Sequence, residues 1–179
     1  SLHKAKKASS IPFSVFKPTG LARFSLLEKI SSNTKLSVEE EVERTAFEAK
    51  IERICKISSE NKVPVFIDAE ESWIQNAIDS IAVKMMRKFN TKQAWIFNTL
   101  QLYRNDRIVH LEDLLANARK NNFFIGLKLV RGAYHEKEIK RAKERGYHCP
   151  VHTIKENTDT DYNKALTICV ENIDISSVC

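Results

Sequence analysis

The sequence predicts an α/β fold built on a parallel sheet, and three observations lead there. Four short apolar runs recur along the 179 residues, and each is followed by a stretch whose apolar positions have helical spacing. The run Val63–Asp68 (VPVFID) is almost wholly apolar, as a strand covered on both faces requires. No Gly-x-Gly-x-x-Gly pattern follows any of the runs, which disfavours the open dinucleotide-binding sheet.

Taken in order, Ile11–Phe16, bounded by Pro12 and Pro18, reads as the first strand. A short helical piece follows at Phe24–Ile30. Ser37-Val38-Glu39-Glu40 is a capping box that opens a long helix to about Glu60, with Phe47, Ile51, Ile54 and Ser58 along one side. After the second strand, Glu71–Phe89 carries Ile74, Ala77, Ile78, Ile81, Ala82, Met85 and Phe89 at helical spacing. Ala94–Leu102 (AWIFNTLQL) returns to strand. Ile108–Lys120 is helical, with Leu111, Leu114, Leu115 and Ala118 inward. Phe123–Val130 (FFIGLKLV) is the fourth strand. Helices follow at about Glu136–Arg145 and Asp159–Glu171, the last with Tyr162, Ala165, Leu166, Cys169, Val170 and Ile173 on one face. The order of elements does not itself separate a (β/α)8 barrel from a doubly wound sheet. A full barrel needs about 250 residues, so about half of its strands are expected here. Cys179 falls just after a helix, where a next strand should begin.

Composition narrows the class. The chain is 42% hydrophobic and 29% charged, a globular balance with no apolar run of the roughly 18–20 residues that span a bilayer. Its net charge of +6 owes much to Lys4, Lys6 and Lys7. Elsewhere bases alternate with acids, as in Glu136-Lys137-Glu138 and Lys140-Arg141-Ala142-Lys143-Glu144. These read as solvated helix faces and not as a nucleic-acid surface. Ser1–Ser10 is basic and ends on two serines, a composition shared by the end of a targeting segment and by a plain surface tail. Cys55, Cys149, Cys169 and Cys179 show neither CxxC nor zinc spacing, which suggests a reducing compartment without structural disulfides. Cys169 reads as a buried thiol.

Ligands of parallel β/α folds sit beyond the C-terminal ends of the strands. That rule selects Lys17 after strand one, Asp68 after strand two, Gln101 after strand three, and Lys128 and Arg131 on strand four. A charge at such a place is costly unless paired, and Lys17 with Asp68 would be such a pair. Each alone reads as a satisfied loop-edge charge; several at equivalent positions point to a site. Arg131-Gly132-Ala133-Tyr134 lets backbone approach a planar or anionic ligand. In Asp68-Ala69-Glu70-Glu71 the acids could hold a cation, but Glu70 and Glu71 read better as caps of the next helix. The five histidines form no metal spacing, and His152 reads as a surface residue.

The segments SVFKPTGL (14–21), VFIDAEES (65–72), IFNTLQLY (96–103) and KLVRGAY (128–134), in this order, together resemble proline dehydrogenase, as does PVHTIKENTDTDYNKAL (150–166). The wording of IFNTLQLY and KLVRGAY is closer to the mitochondrial eukaryotic branch. The resemblance implies a distorted (β/α)8 barrel with FAD at the strand C-termini, of which these would be strands two to five. Residues 1–10 would be a basic tail and 11–179 a partial FAD-binding barrel. It further implies that Lys17 binds substrate and that Asp68 and Lys128 carry the catalytic electrostatics. The backbone of Ile67 and the side chain of Gln101 would touch the flavin, and Val130, Arg131, Gly132, Ala133 and Tyr134 would line the cofactor. Bacterial members carry Arg at the position of Lys128 and Lys at that of Arg131; here the two are exchanged. The implied reaction is hydride transfer from L-proline C5 to flavin N5, giving pyrroline-5-carboxylate. A quinone would then accept the electrons, on the matrix side of the mitochondrial inner membrane and with peripheral association to it. The family's sixth strand, with its Thr-His flavin contacts, and its paired-arginine helix find no match in these residues. The resemblance therefore implies a piece of a larger barrel, or a non-catalytic family member that pairs through exposed sheet edges.

Overall fold

A computed structural model describes residues 12–179, so the basic segment 1–10 and Ile11 lie outside the described residues. Five parallel strands follow one another: β1 (Ser14–Phe16), β2 (Val65–Ile67), β3 (Ile96–Gln101), β4 (Ile125–Val130) and β5 (Ser176–Val178). Each pairs with its sequence neighbour, in the order β1-β2-β3-β4-β5. A doubly wound sheet reverses direction at a switch point, whereas this winding never turns back, as in a barrel. The fifth strand corrects the expected four. Ser176-Ser177-Val178 offers no apolar run, and it is fixed by pairing, with Cys179 N donating to Leu127 O.

The helices are α1 (Phe24–Ser31), α2 (Val38–Asn61), α3 (Ser72–Phe89), α4 (Arg107–Asn121), α5 (His135–Arg145) and α6 (Lys155–Glu171). A short 3-10 turn, Pro18–Gly20, follows β1. The predicted capping box is present: Glu40 N donates to Ser37 Oγ at 3.2 Å and Ser37 N to Glu40 Oε2 at 2.9 Å. α6 starts four residues before the expected Asp159. Its apolar face is buried at Ala165 and Cys169 and half-covered at Tyr162, whereas Leu166, Val170 and Ile173 are exposed.

The strands divide their side chains by parity. Val65, Ile67, Ile96, Leu100, Ile125, Leu127 and Leu129 join one core with Ile74, Ile78, Met85, Leu111 and Leu115 of α3 and α4. On the opposite face Phe66 meets Phe13 and Phe97 edge-on, with ring centroids 4.9 Å apart in each pair. A Cβ at Gly126 would come within 2.7 Å of the Phe97 ring, so glycine there makes room for the aromatic layer. Asn90, fully buried at the end of α3, stitches the sheet to the helix layer. Its Oδ1 accepts from the backbone N–H of Trp95 and Ile96, and its Nδ2 donates to the carbonyls of Ile96 and Phe124.

Candidate active site

Register brings the site together. Val15 lies opposite Phe66, Phe66 opposite Phe97, and Thr99 opposite Lys128. Two residues beyond the aromatic layer, the same alignment carries Lys17, Asp68 and Thr99 into one row with Lys128. Residues two apart on a strand share a face, so this row faces away from the helices, at the strand C-termini. All four line a cleft of about 290 Å³, whose remaining wall is Gln101, Val130, Ala69 and the turn Arg131–Tyr134. A larger hollow of about 720 Å³ on the outer side of α3 and α4 shares no residue with it. The cations of that hollow are engaged elsewhere, Lys84 with Glu48, Lys88 with Glu52 and Arg87 with Asn121.

The pairing differs from the expected one. Lys128 Nζ, not Lys17, donates to Asp68 Oδ1, at 2.7 Å. The pair is part-exposed, 33% and 22% at the two side chains, and opens on the cleft. Lys17 Nζ instead donates to Tyr134 Oη at 3.3 Å. That hydrogen bond and the electrostatic pull of the Tyr134 phenol group, helped by Glu70 and Asp68, hold the Lys17 ammonium above its ordinary range against slight burial. Lys128 reaches Asp68 because both stand in the same row, with Thr99 between them. Gln101 is buried; its Nε2 donates to the Glu70 carbonyl at 2.7 Å, and its Oε1 has no partner among the described residues.

Ile67 does not line the cleft. Its side chain is in the core, and its carbonyl accepts from Thr99 Oγ1 at 2.9 Å. Arg131 points outward: its Nε donates to Asp159, and its guanidinium stacks 4.5 Å from the Tyr162 ring centroid. Only a planar guanidinium can pair and stack in this way, while an ammonium suffices for the point-charge pair with Asp68. The Lys128/Arg131 arrangement thus has a local reason. Gly132 has φ +132°, and a Cβ there would lie 2.4 Å from the Tyr103 ring. The positive φ and Tyr103 beneath the turn both require glycine here.

The family pattern of proline dehydrogenase matches residues 3–179. The chain belongs to the proline dehydrogenase family. It is 37% identical over 130 residues to proline dehydrogenase 1, mitochondrial, of Drosophila melanogaster, covering 73% of this chain and 19% of the relative. It is 32% identical over 173 residues to the carbapenem antibiotics biosynthesis protein CarD of Pectobacterium carotovorum, covering 97% of this chain and 45% of that protein. Among solved structures, a proline utilization A protein of Bradyrhizobium japonicum superposes with a TM-score of 0.82 over 99% of this chain and 18% of that chain, at 18% identity. The chain therefore spans less than half the length of these relatives and shares the barrel fold with the last.

Several residues of this proline dehydrogenase-family site escape sequence reading. Thr99 carries no charge and sits inside an apolar run, so only the register reveals it. Glu71 stands at the N-cap position of α3, but neither Glu70 nor Glu71 gives that helix a side-chain capping bond. The Glu70 carboxylate accepts from Thr19 N at 3.0 Å and Thr19 Oγ1 at 2.7 Å, closing the turn after β1. Glu71 pairs with Lys137 at 3.0 Å. Glu138, expected on a solvated face, is fully buried and takes both bonds of Ser72 at the start of α3. His152 is half-buried, with Nε2 2.7 Å from Asp161 Oδ2 and its backbone N–H donating to Tyr103 O. Among the described residues no group of three acids, histidines or cysteines could hold a metal ion, no helix is long and apolar enough to cross a membrane, and all four cysteines are free.

Proposed function

We propose that this chain builds the strand-end wall of an FAD site that oxidises L-proline to pyrroline-5-carboxylate. The observation that carries the proposal is the row Lys17, Asp68, Thr99 and Lys128 facing one cleft at the strand C-termini. The donor set suits a flavin ring. Lys128 offers a held positive charge, Gln101 a spare amide oxygen, and Ala69, Val130 and Ala133 small apolar walls. Bound FAD would supply the two-electron acceptor, and the protein supplies orientation and charge. Asp68 fixes the Lys128 ammonium on the wall, where a cation favours negative charge developing beside it. Lys17, at the mouth, presents an ammonium to a substrate carboxylate and is steered by Tyr134.

The mitochondrial name of the Drosophila relative supports a mitochondrial setting, while the match to a bacterial CarD protein weakens the case for a eukaryotic type; a quinone acceptor on the matrix side, with peripheral contact to the inner membrane, rests on the resemblance alone. One observation favours a second reading, a non-catalytic family member or assembly partner: among the described residues the sheet is open at β1 and β5. Flavin absorbance of the purified chain, combined with proline-dependent dye reduction, separates the two. Bound FAD with turnover supports the enzyme. Bound FAD without turnover supports the site in a chain that spans less than half the length of its relatives, and a stably folded chain that binds no flavin favours the second reading.

A further inference from the structure

A buried carboxylate outside the cleft links two of its walls. Glu138 is 0% exposed, and both its oxygens accept from Ser72, Oε1 from the backbone N–H and Oε2 from the hydroxyl, each at 2.6 Å. Ser72 opens α3, whose N-cap residue Glu71 makes no capping bond of its own. An acceptor from another helix thus satisfies the first orphan N–H of α3, and the positive end of that helix offsets the buried charge. Among the described residues Glu138 makes no salt bridge and Ser72 is its hydrogen-bond partner, while its charge also bears on Tyr103 and Tyr147.

The position of this contact matters more than its strength. Asp68 lies four residues before Ser72, and Tyr134 four residues before Glu138. A bond between Ser72 and Glu138 therefore joins the β2–α3 loop to the β4–α5 loop just behind the cleft. Neighbours on the same face of α5 extend the seam. Lys137 pairs with Glu71, and the Arg141 guanidinium stacks 4.3 Å from the Trp73 ring centroid. Lys137 is largely exposed, and such pairs hold little. The sealed Glu138–Ser72 contact is the one able to fix the spacing of the two loops.

We infer that Glu138 is a positioning residue: through Ser72 it sets the separation of the Asp68 and Tyr134 walls and so the fit of a planar cofactor between them. This rests on the flavin reading for its consequence, but not for its geometry. Gln at 138 can keep both contacts, accepting from Ser72 N–H and donating to Ser72 Oγ, whereas Ala loses both. Ser72→Ala removes one contact without touching α5.

The test measures amide hydrogen exchange in segments 69–72 and 131–134, alongside FAD affinity by flavin absorbance, for Glu138→Ala, Glu138→Gln and Ser72→Ala. The expected result is faster exchange in both segments for the two alanine variants, with FAD affinity weakened about tenfold or more. Glu138→Gln should restore both readouts, and the alanine double variant should lose no more than Glu138→Ala alone. Unchanged exchange in the alanine variants, or weakened global stability with FAD affinity intact, overturns the inference. If Glu138→Ala does not fold, Ser72→Ala decides alone. If the wild-type chain binds no FAD, the flavin reading fails, and exchange in the two segments still decides whether Glu138 spaces the loops.

Discussion

Two ion pairs flank β3, and their contrast separates what holds this chain together from what equips it. Asn98 and Thr99 are adjacent on the strand and point to opposite faces. Behind Asn98 lies Arg107–Asp79, joined at 2.7 Å, with side chains only 5% and 8% exposed. In front, in the row of Thr99, lies Lys128–Asp68, also at 2.7 Å but open to the cleft. The sealed pair is hydrogen-bonded on every side. Asp79 also accepts from Gln75 at 2.8 Å and Asn98 at 2.8 Å, while Arg107 donates to Asp106. Gln75 in turn accepts from Glu70 N–H, whose carbonyl takes Gln101. This network is sealed by burial, and the atoms it leaves without a partner, Asn98 Oδ1, Arg104 Nη1 and His110 Nε2, are themselves buried. The open pair keeps spare donors and acceptors at a strand end, where a ligand can take them up.

The largest expected effect lies in the sealed network. Arg107→Ala or Asp79→Ala strands a buried charge and should cost about 3–5 kcal/mol of unfolding free energy, read by urea denaturation. The same network should make the fold acid-labile. Burial pushes the Asp79 carboxyl up, but Arg107, His110 and the amides of Gln75 and Asn98 outweigh it and hold it below the usual carboxylate range. Asp106 is likewise held down: its hydrogen bonds from Arg107 and Arg104 overcome burial. Burial, with Arg107, depresses His110 against the pull of Asp79. For all three groups the unfolded chain takes up protons first. Stability should therefore be intact at neutral pH, begin to fall below about 6.5 as His110 counts, and fall further below about 4 as the aspartates count. A flat stability profile from pH 7 to 3 would break the contrast.

Next comes Gly132→Ala, which meets a positive φ and the Tyr103 ring together. We expect a loss of about 2 kcal/mol or more by thermal or urea unfolding. Smaller still in stability is the open pair. Asp68→Asn or Lys128→Met should move unfolding by about 1 kcal/mol or less, because water screens the pair. If these two cost as much as Arg107→Ala, the distinction between the regions collapses. The smallest effect is expected at Arg23→Ala, whose partner Glu43 is also solvent-facing, with no measurable change in urea unfolding.

Legibility in the sequence followed the same division. The first four strands could be read as short apolar runs, the long helix from its capping box, and the helices at 71–89, 108–120 and 159–171 from the helical spacing of their apolar positions. The strand-end rule then picked out Lys17, Asp68, Gln101 and Lys128, all of which line the cleft. What stayed hidden depends on partners far along the chain. Asp79 looks like a surface acid on an amphipathic helix until Arg107, 28 residues on, is folded against it. Glu138 sits in a run of alternating charges and is buried only because α3 begins beside it. The Lys17–Asp68 pair failed because sequence fixes the row but not which neighbour within it is reached. β5 has no apolar signal and takes its form from β4. Burial also sorts the thiols: it pushes Cys55 up to about 12, with a contribution from Glu52, and Cys169 up to about 11, which leaves both inert.

The most direct test of the strand-end row as the ligand surface is an FAD titration, followed by flavin absorbance, of the wild-type chain and of Asp68→Asn, Lys128→Met and Gln101→Ala. The structure leads us to expect saturable binding by the wild type, weakened about tenfold or more in each variant, with unfolding stability barely changed for Asp68→Asn and Lys128→Met. Equal affinity in all four proteins would contradict it.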